Sequence, residues 1–93
     1  MLFMYIHTHP VEKCLADKPE EVQRLIAKLK EAIGKSGVKV LGAYGTSHEH
    51  TFFLVIDADN IEAIEQAMHP VLSWGNARLI PVTAIQGIAQ TAE

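Results

Sequence analysis

Two uninterrupted apolar runs constrain the fold of this chain most strongly. "LFMYI" occupies residues 2–6 and "FFLVI" occupies residues 52–56. Both runs are rich in aromatic and β-favouring residues, so each is predicted to be a strand. Neither run alternates with polar residues, as a strand with one solvated face would. Both faces of these two strands are therefore expected to be buried.

Apolar spacing, turn residues and prolines divide the chain into six predicted elements. Four are strands, at residues 2–9, 38–45, 50–58 and 77–85. Pro10 ends the first strand, and Pro81 restricts the last one to an edge of the sheet, because proline has no amide proton to donate. Two segments show helical apolar spacing, one after Asp17 and one from Asp59 to about His69.

The ends of the two helices are predicted from capping residues. Asp17 with Glu20, and Asp59 with Glu62, fit an N-cap and its reciprocal partner three residues later. Gly34 or Gly37 is expected to stop the first helix, and Pro70 the second. The spacing of the second helix predicts four inward-facing residues: Ile61, Ile64, Ala67 and Met68.

This β-α-β-β-α-β order predicts an α+β, ferredoxin-like fold. Its four-stranded antiparallel sheet has the strand order 4-1-3-2, with both helices on one face. The 93 residues are expected to form one domain, 1–93, with a tail after about residue 87 that is loose or used for contacts. Since the helices cover one face only, a homodimer or larger assembly is expected to cover the other.

Two His-x-His pairs stand at strand ends that this topology makes neighbours. His7 and His9 close the first strand, and His48 and His50 open the third. Side chains two residues apart share a face of a strand, and adjacent strands lie about 4.8 Å apart. Cys14, in the loop after the first strand, belongs to the same edge. The pattern therefore brings these side chains together if the register and the face agree.

Imidazole and thiolate together favour a transition-metal site. The predicted ligands are His7, His9, His48, His50 and Cys14, with zinc or copper as the preferred ion and nickel or iron as alternatives. Each residue also has a structural reading: a histidine at a strand end is often only hydrogen-bonded, and Cys14 is often a small apolar residue. His69 fits a cation at a helix C-terminus. Trp74 and Phe52 fit the core or an interface.

Composition excludes several other classes of function. A net charge of −3 without a basic stripe argues against a nucleic-acid partner. No apolar run approaches the ~20 residues of a membrane span, and the N-terminal segment lacks the features of a signal peptide. One cysteine allows no internal disulfide. A cytoplasmic protein with a reduced thiol is the expectation.

Four segments carry a resemblance to a known family: "LFMYIHTHP", "GVKVLGAYG", "HTFFLVIDADNIEAIEQA" and "ARLIPVTAI". Together they resemble small members of the dimeric α/β-barrel superfamily, in its muconolactone-isomerase-like branch. The resemblance implies two subunits packed sheet to sheet and a cavity between sheet and helices or inside the barrel. That superfamily includes isomerases, monooxygenases, haem enzymes and binding proteins, so it assigns no catalytic residue.

Three hypotheses of function follow. The preferred one is a metal-binding protein or small metalloenzyme; as a catalytic site it would use three protein ligands and one open position. The second is a metal-free enzyme in which a histidine is the general base for a small organic substrate, oriented by Tyr5 or Tyr44. The third is a binding or regulatory protein without chemistry.

Overall fold

The computed structural model describes residues 1–15, 17–46 and 48–88. The predicted element order is confirmed over these residues. Its strands and helices are, in chain order, β1 (Leu2–Thr8), α1 (Pro19–Ser36), β2 (Lys39–Thr46), β3 (Thr51–Asp57), α2 (Ile61–Ala67) and β4 (Asn76–Val82). Short 3-10 turns follow β1 at Val11–Lys13 and α2 at His69–Val71. Part of the predicted C-terminal tail, residues 89–93, lies outside the described residues.

The four strands form one antiparallel sheet in the order β2-β3-β1-β4. This order is the predicted 4-1-3-2 arrangement, which is confirmed together with the α+β, ferredoxin-like class. β4 is an edge strand, as Pro81 required. In the central pair, His7 stands opposite Phe52 and Thr8 opposite Thr51. This register brings the end of β1 beside the start of β3.

The predicted N-caps, Asp17 and Asp59, were each wrong by one residue. α1 begins at Pro19, whose fixed φ suits the first helical position, and Lys18 precedes it without a side-chain cap. In α2 the cap is Asn60, not Asp59: the Asn60 side-chain oxygen accepts a 2.8 Å hydrogen bond from the Ala63 N–H. The predicted stop at Gly37 is confirmed by its left-handed φ of 80°.

The hydrophobic core lies between the sheet and α2. Sheet residues such as Phe3, Leu54 and Ile56 pack there against Ile64 and Met68. Ile61 was predicted to face inward but is 50% exposed, because it is the first residue of α2 and lies outside the packed turn. α1 contains no buried residue and rests on α2 and the 3-10 turn after it. No described helix combines the length and apolar character that a membrane span requires.

The second face of the sheet is apolar and uncovered in the single described chain. Alternation along the strands places on it every side chain that points away from the helices. We call this surface the open face; its apolar members are Leu2, Met4, Ile6, Tyr44, Phe53, Val55, Ile80 and Val82. The two apolar runs therefore fail to alternate because one face packs on the helices and the other forms this surface.

Candidate metal centre

The helix-facing side of β1 ends in histidine. Phe3, Tyr5 and His7 are the buried residues of this strand, at every second position. Because that spacing continues past the strand, His9 follows them on the same side. The His-x-His spacing therefore places both rings on the covered face of the sheet. The sequence alone could not show which face of the sheet carries these rings. The position of the helices determines it.

His9 and His50 are held together by the backbone. The His9 N–H donates a 3.0 Å hydrogen bond to the His50 carbonyl, one step beyond the last ladder pair of β1 and β3. His50 has φ of 51°, a left-handed conformation that few non-glycine residues adopt. This turn conformation directly precedes β3. The two imidazole rings meet edge to face, with centroids 5.4 Å apart.

A single 3-10 turn returns the chain from β1 to this pair. Pro10 begins the turn, and the Cys14 N–H closes it with a 3.1 Å hydrogen bond to the Val11 carbonyl. Cys14 thereby comes beside the two rings. One ring nitrogen each of His9 and His50 and the Cys14 sulfur all lie within 4.8 Å of one another. We call these three residues the His9–Cys14–His50 triad.

Trp74 forms one wall of the triad, which the sequence did not predict. Its indole stacks on the His9 ring at 4.3 Å, with an interplanar angle of 12°. The indole Nε1–H donates a 2.6 Å hydrogen bond to the Lys13 carbonyl, so it also ties down the turn that carries Cys14. No sequence signal distinguishes Trp74 from an ordinary core residue, because its partners are distant along the chain.

Gly75 explains how Trp74 comes so close. A Cβ atom at Gly75 would collide with the Thr8 carbonyl oxygen and lie 2.9 Å from the His9 Cα. Only glycine allows the chain to approach the end of β1 at this distance. The dipeptide Trp74-Gly75 is therefore a unit: the glycine permits the approach, and the tryptophan stacks on the ring it reaches.

The triad contains buried nitrogens without hydrogen-bond partners. Among the described residues, nothing pairs with either ring nitrogen of His9 or with Nδ1 of His50. Burial lowers the pKa of His9, and the charge of a protonated His50 would lower it further. His9 is therefore favoured in its neutral form, which is the form that binds a metal. Buried polar atoms in proteins usually have a hydrogen-bond partner, so three unpaired nitrogens on two neighbouring rings require an explanation.

His7 lies behind the triad and is fully buried, with 0% exposure. Its ring stacks on Phe52 at 4.5 Å and lies 5.0 Å from the Trp74 ring. Burial lowers the pKa of His7; the Val71 backbone raises it in part, and His9 lowers it again. No hydrogen bond of ordinary geometry reaches its ring nitrogens from the described residues. His7 thus supports the triad as an aromatic neighbour.

The remaining histidines lie apart from the triad. His48 is exposed in the turn between β2 and β3, and His69 is exposed where α2 ends. His69 lines a groove between α1 and α2. Of the five predicted ligands, the structure therefore groups His9, Cys14 and His50, while His7 is a buried neighbour and His48 faces solvent.

The donor set and spacing fit a small transition-metal ion. In a tetrahedral site with metal–nitrogen distances of ~2.0–2.1 Å and a metal–sulfur distance of ~2.3 Å, neighbouring ligand atoms lie about 3.3–3.6 Å apart. The triad atoms lie within 4.8 Å of one another, so each pair would have to approach by at most about 1.5 Å to reach that spacing. Three protein donors leave one position of a tetrahedron open, which is the pattern of catalytic rather than structural zinc sites.

Comparison with known proteins gives a family but no activity. Among curated proteins, none matches the chain. A family described as a domain of unknown function, DUF3303, matches residues 1–93. The match covers every residue of the sequence, including both His-x-His pairs, Cys14 and Trp74. The chain therefore belongs to the DUF3303 family.

Proposed function

We propose that this protein binds a transition-metal ion at His9, Cys14 and His50 and presents its open coordination position to a small molecule. One observation carries the proposal: two imidazoles and one thiol converge within 4.8 Å, and the buried ring nitrogens of His9 have no partner among the described residues. A metal ion satisfies such nitrogens better than water in an aromatic, apolar surrounding.

Zinc or copper is the ion that this donor set suits best. Imidazole nitrogen binds both, and a single thiolate adds the soft character that zinc and copper accept. Nickel and iron are alternatives with the same imidazole ligands. Oxygen-preferring ions such as magnesium and calcium are disfavoured, because no carboxylate belongs to the triad of described residues.

The stacked Trp74 ring would act on the metal through His9. A ligand whose ring orientation is fixed loses less freedom when the metal binds, so preorganisation raises affinity. A reduced thiol is required throughout, and this requirement is met in the cytoplasm, where we place the protein.

We further propose that the open face pairs two subunits sheet to sheet, as in the dimeric α/β-barrel superfamily, and that the chain is related to its muconolactone-isomerase-like branch. The support is the apolar surface formed by β1, β3 and β4, which water would otherwise cover. The triad lies on the opposite, helix-facing side. Dimer formation and metal binding are therefore separable by mutation.

The metal proposal is tested by elemental analysis of untagged protein purified without chelator. We expect near-stoichiometric zinc or copper in the wild type and its loss in His50→Ala. His48→Ala is the matched control, because it removes an exposed histidine from the same turn. It should retain the metal.

Thermal unfolding gives a second measure. Zinc at 100 times its Kd should stabilise the protein by about 2.7 kcal/mol, which for a domain of this size raises the Tm by roughly 10–20 °C. The shift should disappear in His50→Ala and on addition of chelator. Absence of bound metal in the wild type, with no Tm response to zinc, copper, nickel or iron, would overturn the proposal.

A second candidate function rests on the position of His9, which lines a cavity of about 250 Å³ and whose pKa is lowered by burial. A neutral imidazole near pH 7 can accept a proton, so His9 could serve as general base in a metal-free enzyme. Turnover that survives exhaustive chelation would support this candidate. A binding protein without chemistry is the third case, and it predicts that alanine at all four paired histidines, His7, His9, His48 and His50, leaves the biological function intact.

A further inference from the structure

An apolar cleft adjoins the triad between α1 and the sheet. It has a volume of about 340 Å³, is open to solvent beside β2, and lies between the apolar residues of α1, such as Leu25 and Leu29, and the strand residues Ala43 and Phe52. A smaller cavity of about 250 Å³ contains His9, Cys14 and His50 in its lining. Val22, Gly45 and Trp74 are among the residues that line both, so the apolar cleft adjoins the smaller cavity that contains the triad.

The cleft exists because β2 presents very small side chains to α1. Ala43 and Gly45 stand opposite Leu54 and Phe52, on the helix-facing side of the sheet. α1 rests on α2 instead of β2 and buries none of its own residues completely. The apolar face of α1 therefore lines a cavity where a tightly packed fold of this kind would place side chains.

The volume matches a small organic molecule. Ligand cavities in proteins span about 300–1,000 Å³, and this cleft is near the lower limit. At about 30 Å³ for each water-sized group, 340 Å³ accommodates roughly eleven such groups. A ligand body of the size of a phenyl ring with a short substituent fits this space.

Charge determines the head group of such a ligand. Among the described residues that line the cleft, none is Asp, Glu, Lys or Arg. A divalent ion bound by one thiolate and two neutral imidazoles carries a net charge of +1. In apolar surroundings an uncompensated charge is costly, so the open position favours a ligand that carries a single negative charge.

We propose that the cleft binds a small apolar monoanion, whose carboxylate completes the coordination of the metal while its hydrocarbon body fills the space between α1 and β2. The proposal rests on the metal site proposed above. The proposed ligand is an aromatic or branched monocarboxylate. The volume given above limits it to about ten non-hydrogen atoms. Neutral molecules of the same shape and anions without an apolar body should both bind more weakly.

Phenylacetate is the probe, and Trp74, the single tryptophan, is the reporter. Trp74 lines the cleft and stacks on His9, so a ligand there changes its fluorescence. Titrations of the zinc-loaded full chain would compare phenylacetate with phenylacetamide, which has the same shape without charge, and with acetate, which lacks the ring. We expect phenylacetate to bind at least about tenfold more tightly than either.

Gly45→Val tests the location. A Cβ at Gly45 meets only Phe52 and the Thr51 carbonyl, both at the ordinary contact distance of 3.8 Å, so the fold accepts it. The valine methyl groups then enter the cleft and should weaken phenylacetate binding at least about tenfold, with the zinc content unchanged. Gly45→Ala, which fills less of the space, should weaken binding less.

The outcomes separate the two proposals. Stoichiometric zinc with no preference for phenylacetate over acetate and phenylacetamide would overturn the ligand class and leave the metal site standing. A wild type that binds no zinc, and that binds phenylacetate and phenylacetamide equally, would overturn the metal site and with it the preference for an anionic head group. Tight phenylacetate binding that Gly45→Val does not change would place the ligand elsewhere and refute the cleft.

Discussion

Replacing His7 by phenylalanine is expected to stabilise the metal-free protein. His7 is fully buried, and its two ring nitrogens have no hydrogen bond of ordinary geometry among the described residues. A buried polar group left unpaired costs about 1–3 kcal/mol. Phenylalanine removes that penalty and retains both the stacking on Phe52 and the contact with the tilted Trp74 ring. Its larger ring introduces crowding that offsets part of the gain.

The expected net gain is on the order of 1 kcal/mol, or about 4–8 °C in Tm for a domain of this size. His7→Leu gains less, because it loses stacking worth about 0.5–1.5 kcal/mol. Urea unfolding in the presence of chelator, followed by Trp74 fluorescence and by circular dichroism, measures the free energy of unfolding. His48→Ala, which changes an exposed ring, is the control and should leave this free energy unchanged.

His7→Phe should also change how the free energy of unfolding depends on pH. Burial lowers the pKa of His7 below its ordinary value of 6.5, so the unfolded chain binds the proton more readily than the folded one. The free energy of unfolding is therefore highest above pH 6.5 and decreases as the pH falls through the folded-state pKa. The slope is at most about 1.4 kcal/mol per pH unit for one such group.

His7→Phe should remove the His7 contribution and leave that of His9, whose pKa is also lowered. The free energy of unfolding of His7→Phe should therefore fall less steeply than that of the wild type below pH 6.5, but it should still fall. A His7→Phe protein that is less stable than the wild type by more than about 2 kcal/mol, with an unchanged slope, would refute the reasoning, because it would mean that His7 is satisfied by a partner or charged.

Three further predictions concern helix ends, glycines and the open face. Asn60→Ala should lower the free energy of unfolding by about 1 kcal/mol through loss of the α2 cap, whereas Asp59→Ala should change it little; chemical denaturation measures both. Gly34→Ala should stabilise α1 by about 0.5–1 kcal/mol, since its Cβ meets nothing within 4 Å, whereas Gly75→Ala should destabilise strongly because its Cβ collides with the backbone of β1; equal effects in thermal unfolding would contradict this. Val55→Lys, at the centre of the open face, should convert a dimer into monomers in sedimentation velocity with metal content retained, and a wild type that is already monomeric would rule out the pairing.

Most of the fold could be predicted from periodicity. The apolar runs at residues 2–6 and 52–56, the two helical segments and Pro81 were enough to predict the strand order and the edge position of β4. The start of α2 was missed because Asp59 and Asn60 are adjacent and of similar capping ability, whereas α1 begins without a side-chain cap, so the acidic Asp17 misled the prediction there. Pro19 fixed the start of α1, and the side-chain oxygen of Asn60 fixed the start of α2.

The amino-acid sequence by itself determined that two His-x-His pairs would end and begin adjacent strands, with Cys14 in the loop between β1 and α1. Spacing along one strand depends only on local geometry, so it can be read from the chain. Which histidines meet was decided by the tertiary structure. The sheet face that the helices cover, the left-handed turn at His50 and the return of the chain after Pro10 select His9 and His50.

Trp74 and the cleft also belong to the tertiary structure alone. Trp74 reaches His9 across a separation of more than sixty residues, through a close approach that Gly75 permits. The cleft arises because α1 packs on α2 while the residues of β2 beside the cleft, Ala43 and Gly45, have little or no side chain. Such contacts depend on the packing of elements distant in sequence, and periodicity carries no information about packing at that range.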